Sequence, residues 1–91
     1  MKTLNEVVVG RLCQHMGEHL TQYKLAKLSG IPLPTLKSIM QRRTKGIELK
    51  TIILLAKGLG IKPSEFIDDP SFWAENIDFR HDAGKSEISQ Y

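Results

Sequence analysis

His15-Met16-Gly17-Glu18-His19 matches the His-x-x-Glu-His spacing in which one helix aligns two imidazoles on zinc and a carboxylate serves as base. That chemistry needs an unbroken helix, and Gly17 interrupts the pattern where a turn is wanted. The histidines therefore read as polar residues of a turn, at most near a phosphate, and no metal is expected. The lone Cys13, on the C-terminal half of the same helix, reads as a small core side chain rather than a redox sensor. Arg42-Arg43-Thr44-Lys45 is the one dense run of cations, and its chemistry is the binding of a polyanion. No nucleophile–base pair and no glycine-rich phosphate cradle is present, so no enzyme, cofactor or small-molecule ligand is predicted.

The elements that must position these residues have little chain to work with. Ninety-one residues form one small domain with one core, and 41% hydrophobic with 25% charged residues suits a soluble globular chain. The longest apolar run, Ile52 to Ala56, falls far short of the roughly 18 residues a membrane span requires, and the N-terminus lacks the order of a signal peptide. A single cysteine excludes an internal disulfide, and the expected location is cytoplasmic. Residues 1–62 carry eleven Lys/Arg against three acids, whereas residues 63–91 carry two against seven. A basic body is thus followed by an acidic tail, and seven of the cations fall between Leu20 and Lys50.

Apolar residues at Leu4, Val8, Leu12 and Met16, behind the Thr3-x-x-Glu6 spacing of a capping box, predict helix 1 from about Leu4 to His15. Thr21 is a good N-cap for a second helix with Leu25, Ala26 and Leu28 inward, ended by Gly30. Pro32 and Pro34 are tolerated in the cap and first turn of a third helix near Leu33, whose inward face is Leu36, Ile39 and Met40. Leu49, Ile52, Ala56 and Leu59 mark a fourth helix that stops at Gly58 or Gly60, and Pro63 to Ile67 a short fifth. No stretch alternates as a half-buried strand would.

Thr21 to Ile39 is therefore a short helix, a glycine turn and a second helix, with Ala26 allowing the two to cross closely: a helix-turn-helix. The spacing Thr-Gln-x-x-Leu-Ala-x-x-x-Gly-Ile, followed by Thr-Leu-x-x-Ile and then Leu-Gly-Ile-x-x-x-Glu-Phe-Ile, resembles the Cro/C1-type (XRE) helix-turn-helix family over about Leu4 to Asp68. The resemblance implies an all-α, five-helix, lambda-repressor-like DNA-binding domain (1–68) followed by a short acidic aromatic tail (69–91). It implies that helix 3, about 33–41, enters the major groove of double-stranded DNA and that Gln22 fixes a phosphate. Pro32, Leu33, Pro34 and Thr35 then stand where base edges are reached, with Lys37 and Ser38 one turn on. Leu33 and Pro34 offer only apolar contact to thymine methyls, which makes Lys37 the main candidate for guanine O6/N7. Leu33 could equally be a core residue. Gln41, Arg42, Arg43 and Lys45 supply phosphate ligands in place of the family's acidic residue. Tyr23 either lies on the sugar–phosphate backbone or covers the junction of helices 1 and 2.

The tail holds four of the six aromatics, Phe72, Trp73, Phe79 and Tyr91. It is expected to pack as far as about Phe79, on its own domain or on a second subunit, and to fray after Gly84. Ile53 and Leu54 widen the apolar surface of helix 4, for which Phe72, Trp73 and Phe79 are the available cover. A homodimeric regulator, read as a repressor, is the favoured reading. The rival is an antitoxin-like or adaptor module that uses the tail to hold a protein partner.

Overall fold

A computed structural model describes residues 2–79. The chain forms α1 (Leu4–Met16), α2 (Gln22–Ser29), α3 (Leu33–Met40), α4 (Leu49–Leu59) and α5 (Pro63–Ile67), then a single 3₁₀ turn at Pro70–Phe72. Among the described residues there is no strand, only an isolated parallel bridge between Thr3 and Asp78. The fold is all-α, as the periodicity predicts. No helix among the described residues is long and apolar enough to cross a membrane.

The helix starts follow from local chemistry. The Thr3 hydroxyl accepts from the Glu6 amide at 3.2 Å while Glu6 Oε1 accepts from the Thr3 amide at 3.1 Å, which satisfies two amides that have no intrahelical acceptor. Thr21 Oγ1 accepts from the Lys24 amide at 3.1 Å and opens α2 in the same way. At the other end of α2, Gly30 takes the left-handed conformation (φ 79°), and its amide reaches the Ala26 carbonyl at 2.9 Å.

Val8, Leu12, Leu25, Ala26, Ile31, Leu36, Ile39, Ile52, Leu55, Ala56 and Phe66 form one continuous core. Complete burial of Phe66 alone contributes about 1.5–3 kcal/mol, so the short α5 is held by its one aromatic rather than by helix propensity. Arg11 ties this helix to α1: its Nε and Nη2 donate to the Phe66 and Glu65 carbonyls at 2.7 and 2.6 Å.

Gly58 is not the stop of α4 but an interior residue; the helix ends at Gly60 (φ 76°). A Cβ at Gly58 would fall 2.9 Å from Ser29 Cβ and 3.0 Å from the Ser29 amide nitrogen, so α4 crosses α2 in contact with its backbone. The close crossing of α2 and α4 thus depends on Gly58. The approach brings Ser29 into the buried face of α2 beside Leu25 and Ala26, and Leu28, expected inward, is 60% exposed. Cys13, expected in the core, is exposed because the buried face of α1 runs through Asn5, Val8, Val9 and Leu12. Leu49, at the first position of α4, is 71% exposed rather than inward.

The described part of the tail packs on its own chain, against α1. Asp69 Oδ2 accepts from the Ser71 amide at 3.0 Å and its Oδ1 lies 3.7 Å from Arg11 Nη1. Phe72 meets Phe66 with ring centroids 6.0 Å apart, Ile77 is buried, and the Asp78 amide donates to the Lys2 carbonyl at 2.8 Å. Within the single chain Trp73 and Phe79 do not cover α4: they are 61% and 52% exposed, and Ile53 on α4 is 44% exposed. The expected fraying after Gly84, and Tyr91 with it, lie outside the described residues.

Candidate nucleic-acid interface

In α3, Leu36 and Ile39 are buried, and Leu33 and Met40 are partly buried against the same core. Leu33 thus spends much of its surface on packing, which leaves Pro34, Thr35 and Lys37 as exposed residues of the first two turns, with Ser38 half-buried. Pro32 is the exposed N-cap and makes no side-chain capping bond. Gln22, the first residue of α2, is half-buried; Tyr23 beside it is 57% exposed, and Lys27 Nζ sits 4.8 Å from its ring centroid. Tyr23 therefore offers an open face with a cation on it rather than a cover for the α1–α2 junction.

The cations follow α3 directly. The Arg42 amide donates to the Ile39 carbonyl and the Arg43 amide to the Ser38 carbonyl, both at 2.9 Å, the paired bonds of a Schellman motif. The residue at its left-handed position is Arg42, with φ 59°, where glycine is the usual choice. Sequence inspection missed this because no glycine marks the turn. Gln41, Arg42, Arg43 and Lys45 are all exposed, and among the described residues none of Lys37, Arg42, Arg43 and Lys45 is held in a salt bridge. Cations without bound carboxylates are free to meet phosphate.

The first turn of α1 borders this loop. Asn5, not singled out by the sequence, is 1% exposed and donates through Nδ2 to the Thr44 carbonyl. Its spacing to Val8, Val9 and Leu12 is the one sequence feature that marks it as inward. The bond from the Thr3 amide holds the Glu6 carboxyl below its ordinary value, with smaller contributions from the Thr3 hydroxyl and the charges of Arg42 and Lys2.

The histidine pattern is not assembled into a site. His15 is not a turn residue: it lies on α1, half-buried, with its ring 6.3 Å from that of Phe66, while Gly17 (φ 61°) ends the helix before Glu18 and His19. Among the described residues no group of three potential metal-binding side chains comes together.

A helix-turn-helix with one face in the core, an exposed outer face on its second helix and a bare cationic loop after it is an arrangement for docking on a nucleic-acid duplex. Comparison with known proteins agrees: the family model of the Cro/C1-type HTH DNA-binding domain matches residues 11–71, which is 61 of the 91 residues and contains α2, α3 and the basic loop. No curated protein and no solved structure matches the chain. With that span covered, the chain belongs to the Cro/C1-type HTH DNA-binding domain family and is a DNA-binding transcriptional regulator.

Proposed function

We propose that the protein is a sequence-specific repressor that docks α3 in the major groove and acts as a homodimer on a palindromic operator. The observation that carries this reading is the pairing of an exposed α3 face with the unbridged cations of the loop behind it. Lys37 reads guanine, Thr35 and Ser38 supply hydroxyls to base edges, and Pro32, Pro34 and the exposed edge of Leu33 give apolar contact. Gln22, Tyr23, Gln41, Arg42, Arg43 and Lys45 hold the sugar–phosphate backbone, which sets register without reading sequence. Dimerisation is favoured because one helix-turn-helix reads about half of a typical operator.

The test is titration of duplex DNA at several salt concentrations. Neutralising four to six phosphates gives a slope of log K against log salt of about −4 to −5 per monomer. Lys37→Ala should cost about 1–3 kcal/mol on the selected operator and relax preference at one base position, with much less effect on random DNA. A flat salt dependence excludes the DNA reading; an equal loss on both DNAs excludes Lys37 as the reader. The exposed Trp73 and Phe79 favour a second reading, in which the tail holds a protein partner and DNA affinity is incidental. Weak, salt-insensitive retention on heparin would favour it.

A further inference from the structure

The loop that carries the cations is tied to the body by a side chain from another helix. Between Arg43, whose amide closes the end of α3, and Glu48, whose carbonyl opens α4, the bond from Asn5 Nδ2 to the Thr44 carbonyl is the one hydrogen bond on the backbone among the described residues. Ile47 adds apolar packing, but Lys45 and Gly46 are exposed. The arrangement is costly. Asn5 Oδ1 and Thr44 Oγ1 are both buried without a partner, and an apolar residue at position 5 would avoid the first of these losses. Leucine there would continue the face of Val8, Val9 and Leu12, yet it cannot hold a carbonyl at a fixed distance.

We infer that Asn5 is a positioning residue of the DNA interface, whose amide fixes the Thr44 peptide so that Arg42, Arg43 and Lys45 are presented to the phosphates as a preformed set. This rests on the reading of these three residues as phosphate ligands. A loop already ordered in the free protein does not lose that freedom on binding, so the effect belongs to affinity on any duplex and not to base preference.

The full chain, Asn5→Leu, Lys45→Ala and the double variant are titrated with a random-sequence duplex over a range of salt. Expected are a roughly 5- to 10-fold loss of affinity for Asn5→Leu, a salt slope shallower by about 1, and a Lys45→Ala effect much smaller in the Asn5→Leu background than in the native one. Circular dichroism at the assay temperature confirms that the variants are folded. Additive losses with an unchanged slope would overturn the proposal and leave Asn5 a purely structural residue. If Arg43→Ala and Lys45→Ala leave the native protein's affinity and slope unchanged, the phosphate reading itself fails, whatever Asn5 does. Should Asn5→Leu not fold, the native chain decides by nuclear magnetic resonance. Slow exchange of the Asn5 side-chain amide protons and a shift on addition of duplex support the proposal; fast exchange without a shift overturns it.

Discussion

At the end of α4, Gly60 turns left-handed (φ 76°), its amide donates to the Lys57 carbonyl and the Ile61 amide donates to the Ala56 carbonyl. At the end of α3, Arg42 (φ 59°) and Arg43 make the equivalent bonds to Ile39 and Ser38. The hydrogen-bond pattern is the same, but one turn uses the residue that adopts the conformation freely and the other uses a residue that resists it. After α4 the turn only has to send the chain toward α5, so a side chain there has nothing to do. After α3 the same position carries a guanidinium at the end of the helix proposed to dock on DNA, and its charge is one of the lesser causes that lower the Glu6 pKa on α1. On the proposed function, the strain at Arg42 is the cost of placing a phosphate ligand there.

The comparison can be broken most strongly within α4 itself. Gly58→Ala places a methyl against Ser29 Cβ and backbone, so α2 and α4 must move apart, at a cost of about 1–3 kcal/mol in a thermal or denaturant melt. An unchanged midpoint would mean that the crossing is not tight.

Making the two turns alike is the next test. Gly60→Arg should cost about 1 kcal/mol, because the left-handed conformation penalises a Cβ and nothing lies within 4 Å of the Cβ it would add. The reverse change, Arg42→Gly, should raise stability by about 0.5–1 kcal/mol while lowering affinity on every duplex and reducing the salt slope by about 1. A variant that is both more stable and equally tight would show that the arginine has no function there.

The smallest effect concerns Glu6. Its folded pKa is depressed, so its contribution to stability is complete above the unfolded carboxyl value and is lost as pH falls through the folded value. Melts of the native protein and Glu6→Gln should therefore converge as pH falls through that range. Because Arg42 is one of the lesser causes, Arg42→Gly should move the acid limb of the native curve slightly toward higher pH. An unmoved limb would remove Arg42 from the surroundings of Glu6.

The parts legible in the sequence are those decided within one or two turns. Thr3 with Glu6, Thr21 and Gly30 each satisfy or terminate a helix end through neighbours no more than four residues away, and so their roles follow from spacing. The misread residues are those whose environment is set by a distant element. Leu28 has helical spacing from Leu25, but α4 docks at Ser29 through Gly58, and the buried face of α2 turns away from Leu28. Phe72, Trp73 and Phe79 looked alike as cover for α4, yet the tail runs back to α1, where Phe72 finds Phe66 and the other two remain largely exposed.

For the interface, the sequence by itself determined the cations, their place after the second helix of a helix-turn-helix, and the apolar stripe that turns α3 outward, because charge and periodicity are local properties of a chain. Only the tertiary structure decided that Arg42 stands in a left-handed turn, that Asn5 reaches across 39 residues to hold the loop, and that Gly58 rather than a larger residue separates α2 from α4. Each of these depends on how closely two segments remote in sequence approach, a distance set by the packing of the whole core and encoded in no single stretch of it.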